Sequence, residues 1–225
     1  MQGTARTQKG YKGLAMEGVI ARWYTGLRGS ESQLEQYRRQ AAELTADLPR
    51  GAAVLEVAPG PGYFAIEVAR LGRFQVTGLD ISRSFVQIAG ENARRLRVEV
   101  DFREGDASSM PFVDRSFDLI VCQAAFKNFA QPGRALDEMH RVLQEGGSAV
   151  VQDMNHEASG AAIADEVRRM RLAGMSSLMT RWTLTWLRRR AYTRQRMEAL
   201  AAASAFGDCE IQTEGIGMEV RLRKP

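Results

Sequence analysis

Cysteine is scarce in this chain: Cys122 and Cys209 are the only two in 225 residues, far apart and without metal-ligand spacing. That excludes a disulfide framework and a thiolate zinc site. Cys122 sits in an apolar run and reads as a small core residue. Also lacking is an apolar stretch long enough to cross a bilayer, and Met1-Gln2-Gly3-Thr4-Ala5-Arg6 holds no signal-like apolar core, so a cytoplasmic protein is expected. A third shortage is local. No acid lies between Glu166 and Glu198, while Arg168, Arg169, Arg171, Arg181, Arg188, Arg189, Arg190, Arg194 and Arg196 fall on or between those positions. The chain as a whole carries a net charge of only +4 and is the size of one ordinary domain with a full core.

What is present centres on Ala53 to Gly62, Ala-Val-Leu-Glu-Val-Ala-Pro-Gly-Pro-Gly. A buried strand enters a tight glycine-proline turn, and Tyr63 to Leu71 reads as a helix. Glycine permits positive φ and close approach of the backbone to a ligand. The following helix N-terminus presents free N–H groups, so a nucleotide-like molecule suits the turn. Gly60-x-Gly62-x-x-Ala65 with Asp80 about 20 residues on also fits the dinucleotide fingerprint, so the turn alone leaves a dehydrogenase open.

Further strands are expected over Phe74–Asp80, Val98–Glu104, Ser116–Gln123 and Ser148–Asp153. Helices are expected over Arg83–Arg95, capped by Ser82, and Arg134–Leu143. Alternation at this spacing predicts a parallel sheet with helices on both faces. The last stretch, Asp208 to Lys224, reads as two short strands around a glycine turn.

The runs Glu56-Val57-Ala58-Pro59-Gly60-Pro61-Gly62, Gly78-Leu79-Asp80-Ile81-Ser82, Glu104-Gly105-Asp106-Ala107 and Phe117-Asp118-Leu119-Ile120-Val121, with Arg141 to Gly147, together resemble the class I S-adenosylmethionine-dependent methyltransferases. The resemblance covers roughly Leu48 to Asp153. It departs in the turn Ala58-Pro59-Gly60-Pro61-Gly62, where that family more often has a third glycine; proline there stiffens the turn without forbidding the fold. It implies a Rossmann-like α/β fold: a doubly wound, seven-stranded sheet, mostly parallel, with a C-terminal antiparallel hairpin. Residues 1–48 would form an N-terminal helical cap, 49–154 the cofactor-binding core, 155–205 a helical insertion after the fifth strand, and 206–225 the hairpin. The hairpin, and the lack of length for a second catalytic half, disfavour the dehydrogenase.

Under that resemblance S-adenosylmethionine is the cofactor and S-adenosylhomocysteine its product. Glu56 would accept from the cofactor's amino group or from the turn that holds it. Ala58, Gly60 and Gly62 leave room for the backbone to pass under the methionine and ribose. Asp80 would accept both ribose hydroxyls, Ile81 would pack on the adenine, and Asp106 would meet the adenine amine with the Ala107 N–H nearby. Gln123 would lie beneath the sulfonium. A strand-end cap for Asp80 and a turn-former for Asp106 are the plainer alternatives. Tyr24, and less strongly Tyr11, are candidates at the sulfonium, with packing against the sheet as the alternative for Tyr24 and Trp23.

The acceptor side is less defined. His156, following the fifth strand, is a candidate base. His140 reads as surface or packing, and Lys127 as a solvated loop residue. Asp153 and Asn155 resemble only loosely a magnesium pair, so no metal is assigned. Three helices are expected in the insertion, Ala161–Leu172, about Ser176–Arg190 and Thr193–Ala203. Its apolar face would contact a hydrophobic acceptor while its arginines meet an acidic group, a membrane surface or phosphates; a solvated basic face or a homodimer contact is the alternative. The expected reaction is methyl transfer to a small-molecule acceptor by alignment and exclusion of water. RNA methylation through the basic insertion and a non-catalytic partner that keeps the fold stay open as alternatives.

Overall fold

The first buried strand, β1 (Ala53–Val57), runs into the glycine turn and then helix α3 (Tyr63–Arg70), preceded in the chain by α1 (Gly18–Arg28) and α2 (Glu31–Leu44). The computed structural model describes residues 10, 12, 17–170 and 174–225, the side chains at 19, 23, 27 and 28 excepted. Tyr11 and the Trp23 side chain lie outside the described residues. After α3 the chain alternates: β2 (Gln75–Asp80), α4 (Arg83–Leu96), β3 (Asp101–Glu104), β4 (Phe117–Gln123), α5 (Pro132–Val142) and β5 (Leu143–Met154). Three helices follow, α6 (Gly160–Arg169), α7 (Gly174–Arg188) and α8 (Arg194–Ala202), before the hairpin β6 (Glu210–Glu214) and β7 (Gly217–Arg223).

The strands form one sheet in the order β3-β2-β1-β4-β5-β7-β6. β1 to β5 pair in parallel, and β7 pairs antiparallel with both β5 and β6. This is the expected seven-stranded, doubly wound arrangement with its closing hairpin.

Alternate residues of each central strand serve opposite faces. Leu55, Val57, Ile120 and Cys122 join the core under α5 and α8, with Leu136, Met139, Met197 and Ala201. Val54, Leu119, Val121 and Val150 join the core under α2 and α3, with Ala41, Phe64 and Val68. Helix α8 therefore covers the sheet, although it belongs to the segment expected as the insertion.

Two strand boundaries differ from expectation for local reasons. β3 begins at Asp101, not Val98, because Arg97 ends α4 in the left-handed conformation at φ 55°. The Val98 N–H then bonds back to the Ala93 carbonyl, and that helix-closing motif takes it from the sheet. β5 begins at Leu143, ahead of Ser148: Leu143 pairs with Phe117, and the register then shifts before Leu119 meets Ser148.

Candidate functional site

Strand order reverses between β1 and β4, and in open parallel sheets that switch point forms a crevice beyond the strands' C-terminal ends. The turn after β1 forms its floor. Ala58, Gly60 and Gly62 have φ of 58°, 54° and 78°. The Ala58 N–H donates to the Leu79 carbonyl at 2.7 Å, lashing the turn to the end of β2. A Cβ on Gly62 would lie 2.7 Å from Phe102 Cζ and 2.8 Å from Ala89 Cβ, so both conformation and space require glycine. Ala58 holds a left-handed conformation with a side chain, a strain of about 1–2 kcal/mol that glycine would avoid.

Two buried carboxylates bracket this turn. Glu56 Oε2 accepts from the Ala65 N–H in the first turn of α3 at 2.9 Å, taking one of the helix's open donors. Asp80 Oδ2 accepts from the Gly60 N–H at 2.9 Å, and Oδ1 from the Ser82 N–H at 2.8 Å. Burial pushes the Asp80 carboxyl up to about 6, against the opposing pull of those two hydrogen bonds. Each of its oxygens keeps a lone pair for a further donor.

Above the turn is a cavity of about 350 Å³, a size usual for small-molecule sites. Of the residues singled out in the sequence, Tyr24, Glu56, Ala58, Gly60, Asp80, Ile81, Ala107 and Gln123 line it. Tyr24 stands over Gly60, its Cε1 3.9 Å from where a Cβ there would sit, and meets Phe85 edge-on at 5.9 Å. Gly62 lies behind the wall, packed on Phe102 and Ala89. Asp106 is outside the lining: its Oδ1 accepts from both the Ser108 N–H and Oγ at 2.8 Å, so it shapes a turn. Gly10 crowds the same carboxylate, leaving no room there for a Cβ. His156 is also outside the cavity. It is exposed, with Nδ1 3.0 Å from the Arg188 carbonyl at the end of α7, and its backbone N–H is held by Tyr192 O.

Lys127 overturns its reading as a solvated residue. It sits in a 3₁₀ turn, Phe126–Asn128, directly after β4 and lines the cavity. Its Nζ donates to Asp153 Oδ1 at 2.6 Å and to the Ala124 carbonyl at 2.7 Å. The two side chains are 8% and 5% exposed, so this is a buried ion pair at the C-terminal ends of β4 and β5. Buried Phe126 and Phe129 on either side of Lys127 were the signal available in the sequence. With Asp153 so engaged, and Asn155 Oδ1 accepting from the Glu157 N–H, the loosely magnesium-like pair is committed elsewhere. Among the described residues no group of three His, Cys, Asp or Glu could hold a metal. His140 packs edge-on against Phe206 at 5.1 Å, away from the cavity.

A polar row on the α2 side also escaped the sequence reading. Arg221 Nε donates to Glu219 Oε1 at 2.7 Å, and Gln152 Nε2 to Glu219 Oε2 at 2.7 Å. Gln123 Nε2 donates to Gln152 Oε1 at 2.7 Å, and more loosely to Gln40 Oε1 of α2 at 3.3 Å. The Gln123 carbonyl oxygen is buried and has no hydrogen-bond partner among the described residues.

Residues 55–151 match the family model described as a methyltransferase domain. Over 124 residues the chain is 40% identical to a demethylmenaquinone methyltransferase of Deinococcus radiodurans, covering 55% of this chain and 51% of that protein. The chain spans about half the length of the curated relatives it matches. The fold is that of a Methanococcus maripaludis chain assigned to the S-adenosyl-L-methionine-dependent methyltransferases, with a TM-score of 0.74 at 19% identity over 99% of this chain and 97% of that one. A second solved structure, the [4+2]-cyclase SpnF, is 29% identical with a TM-score of 0.51 over 70% of this chain and 55% of that one.

Proposed function

We propose that this chain is a class I S-adenosylmethionine-dependent methyltransferase and that it methylates a small, largely apolar acceptor carrying a ring hydroxyl, of the quinol class. The observation that carries this reading is the cavity's division into two unlike halves. One half is the positive-φ turn with Glu56 and Asp80. The other is walled by Phe129 and Leu187 and has the Lys127–Asp153 pair. The substrate class also leans on the demethylmenaquinone named for the Deinococcus relative.

The residues present fit the cofactor. The Asp80 oxygens keep lone pairs for two ribose hydroxyls, Ile81 offers an apolar edge for adenine, and the turn at Ala58 and Gly60 admits close approach. Gln123 adds part of the cavity wall, its amide held in place by Gln152. Bound there, S-adenosylmethionine supplies a methyl group already activated for transfer.

The chain's own work is alignment, desolvation and charge control. Tyr24, Phe129 and Leu187 exclude water from the reacting region. The Lys127 ammonium, anchored by Asp153 and the Ala124 carbonyl, has a third N–H to offer an acceptor oxygen. A cation there favours the ionised, electron-rich form of a ring hydroxyl. His156, outside the cavity, is given no part in this scheme.

Calorimetry with S-adenosylhomocysteine tests the first half, and mass spectrometry of the acceptor after incubation with S-adenosylmethionine tests the second. Expected are heat of binding and a methylated quinol. Absence of binding heat would leave a non-catalytic partner with this fold. Binding without methylation of any quinol, but with methylated tRNA, would establish RNA methylation instead.

A further inference from the structure

Helix α7 has no buried residue. Its large apolar side chains, Met175, Leu178, Met179, Trp182 and Trp186, are all exposed, Met175 at 74% and Trp182 at 73%. Spacings of three, one, three and four residues set them along one stripe of the helix. Of the half-buried positions, Ser177, Thr180, Leu184, Leu187 and Arg188 fall on the opposite side and Thr185 at the stripe's edge, and Leu187 lines the cavity. The helix is thus held by its other face, and the stripe is turned away from the protein.

Cations flank the stripe. Arg181 and Arg189 stand exposed, and the Arg190 guanidinium lies 5.4 Å from the centre of the Trp186 ring. Nearby, Lys12 has its pKa lowered by partial burial and by Arg196 and Arg190, a sign of crowded positive charge. No acid occurs between Glu166 and Glu198 to neutralise it.

The occupant can be chosen by chemistry. Pairing α7 with itself in a second copy would set the same arginines against one another. Nucleic acid offers phosphates but no place for Met175, Leu178 and Met179. The interface of a bilayer with anionic headgroups offers both an apolar boundary and negative charge. Among the described residues no helix is long and apolar enough to cross a membrane, so contact is with the surface.

We infer that α7 docks this protein on an anionic membrane surface, with Met175, Leu178, Met179, Trp182 and Trp186 entering at headgroup level. Because Leu187 of the same helix lines the cavity, docking brings the acceptor side of the cavity to the lipid boundary. An apolar acceptor then moves from bilayer to site with little exposure to water. The docking itself needs only α7 and does not rest on the proposed methyl transfer.

The test uses the full chain with vesicles of phosphatidylcholine alone or mixed with phosphatidylglycerol. Expected are cosedimentation with the mixed vesicles, much weaker with the neutral ones, and a blue shift of tryptophan emission on binding. Arg181→Glu together with Arg189→Glu should weaken binding at least tenfold, since each basic residue near such a surface contributes about 1 kcal/mol, or about fivefold. Met179→Ser with Trp182→Ser should lower binding comparably and reduce the blue shift to what Trp186 contributes, and both variants should keep the parent's Tm. A protein left in the supernatant by the mixed vesicles overturns the inference. So do variants that bind like the parent, or tryptophans already shielded in a lipid-free dimer. If vesicles fail while S-adenosylhomocysteine still binds, only the docking falls.

Discussion

The floor of the cavity and helix α7 break the ordinary partition of residues in opposite directions. The floor buries charge: Glu56, Asp80 and the Lys127–Asp153 pair all lie out of water. Helix α7 exposes bulk: two tryptophans, two methionines and a leucine face solvent. Each inversion costs stability where it stands. What differs is how the cost is contained. In the floor every buried charge has a fixed partner within hydrogen-bond distance, supplied by a backbone N–H or an opposite charge. On α7 the apolar stripe has no cover among the described residues, so within them its cost is not relieved. The floor suits something polar held within the fold, and helix α7 something apolar from beyond it.

Removing a partner from the floor should have the largest effect. Lys127→Met leaves Asp153 buried beside an apolar chain and should destabilise the protein by about 3–5 kcal/mol. Urea denaturation reads this directly, and a loss under 1 kcal/mol would mean that Asp153 reaches water. Asp80→Asn should be milder in the floor's own terms, weakening S-adenosylhomocysteine binding by roughly 1–3 kcal/mol by calorimetry. Unchanged affinity would overturn its place at the ribose.

The same residue sets a pH window. Burial raises its carboxyl to about 6 from an ordinary 3.8, so between those values the folded state holds a proton the unfolded chain has released. This group's contribution to stability is therefore greatest below about pH 4, falls as pH rises towards about 6, and is level above. Stability curves across that range should lose this slope in Asp80→Asn; an identical slope would assign it to other groups. At the small end, Met179→Ser on α7 should change stability in lipid-free solution by less than about 0.5 kcal/mol, because the side chain is largely exposed. A larger loss would show that the stripe is covered and collapse the contrast with the floor.

Legibility in the sequence followed how local the determining physics is. The turn after β1 was readable because glycine and proline punctuate it, and Asp80 because it ends an apolar strand. The sheet order came from the resemblance of several motifs in sequence, none of which is decisive alone. Lys127 was misread because its partner, Asp153, is 26 residues away and meets it only once β4 and β5 lie side by side. The row through Gln40, Gln123, Gln152 and Glu219 was hidden for the same reason, being assembled from one helix and three strands. Asp106 gives one carboxylate oxygen, Oδ1, to Ser108, a pairing that depends on side-chain orientation. His156 followed the correct strand, yet the chain pairs with Tyr192 there and turns the ring towards Arg188.

The row of amides ending at Gln123 has a direction, imposed from two strands away. An ionised Glu219 can only accept, so Gln152 must present its nitrogen to it and its oxygen to the next neighbour. Gln123 is then obliged to spend its nitrogen on that oxygen. One negative charge near the sheet's far margin thereby selects the orientation of an amide two strands away, a polarity written into the hairpin and not into the residue that displays it.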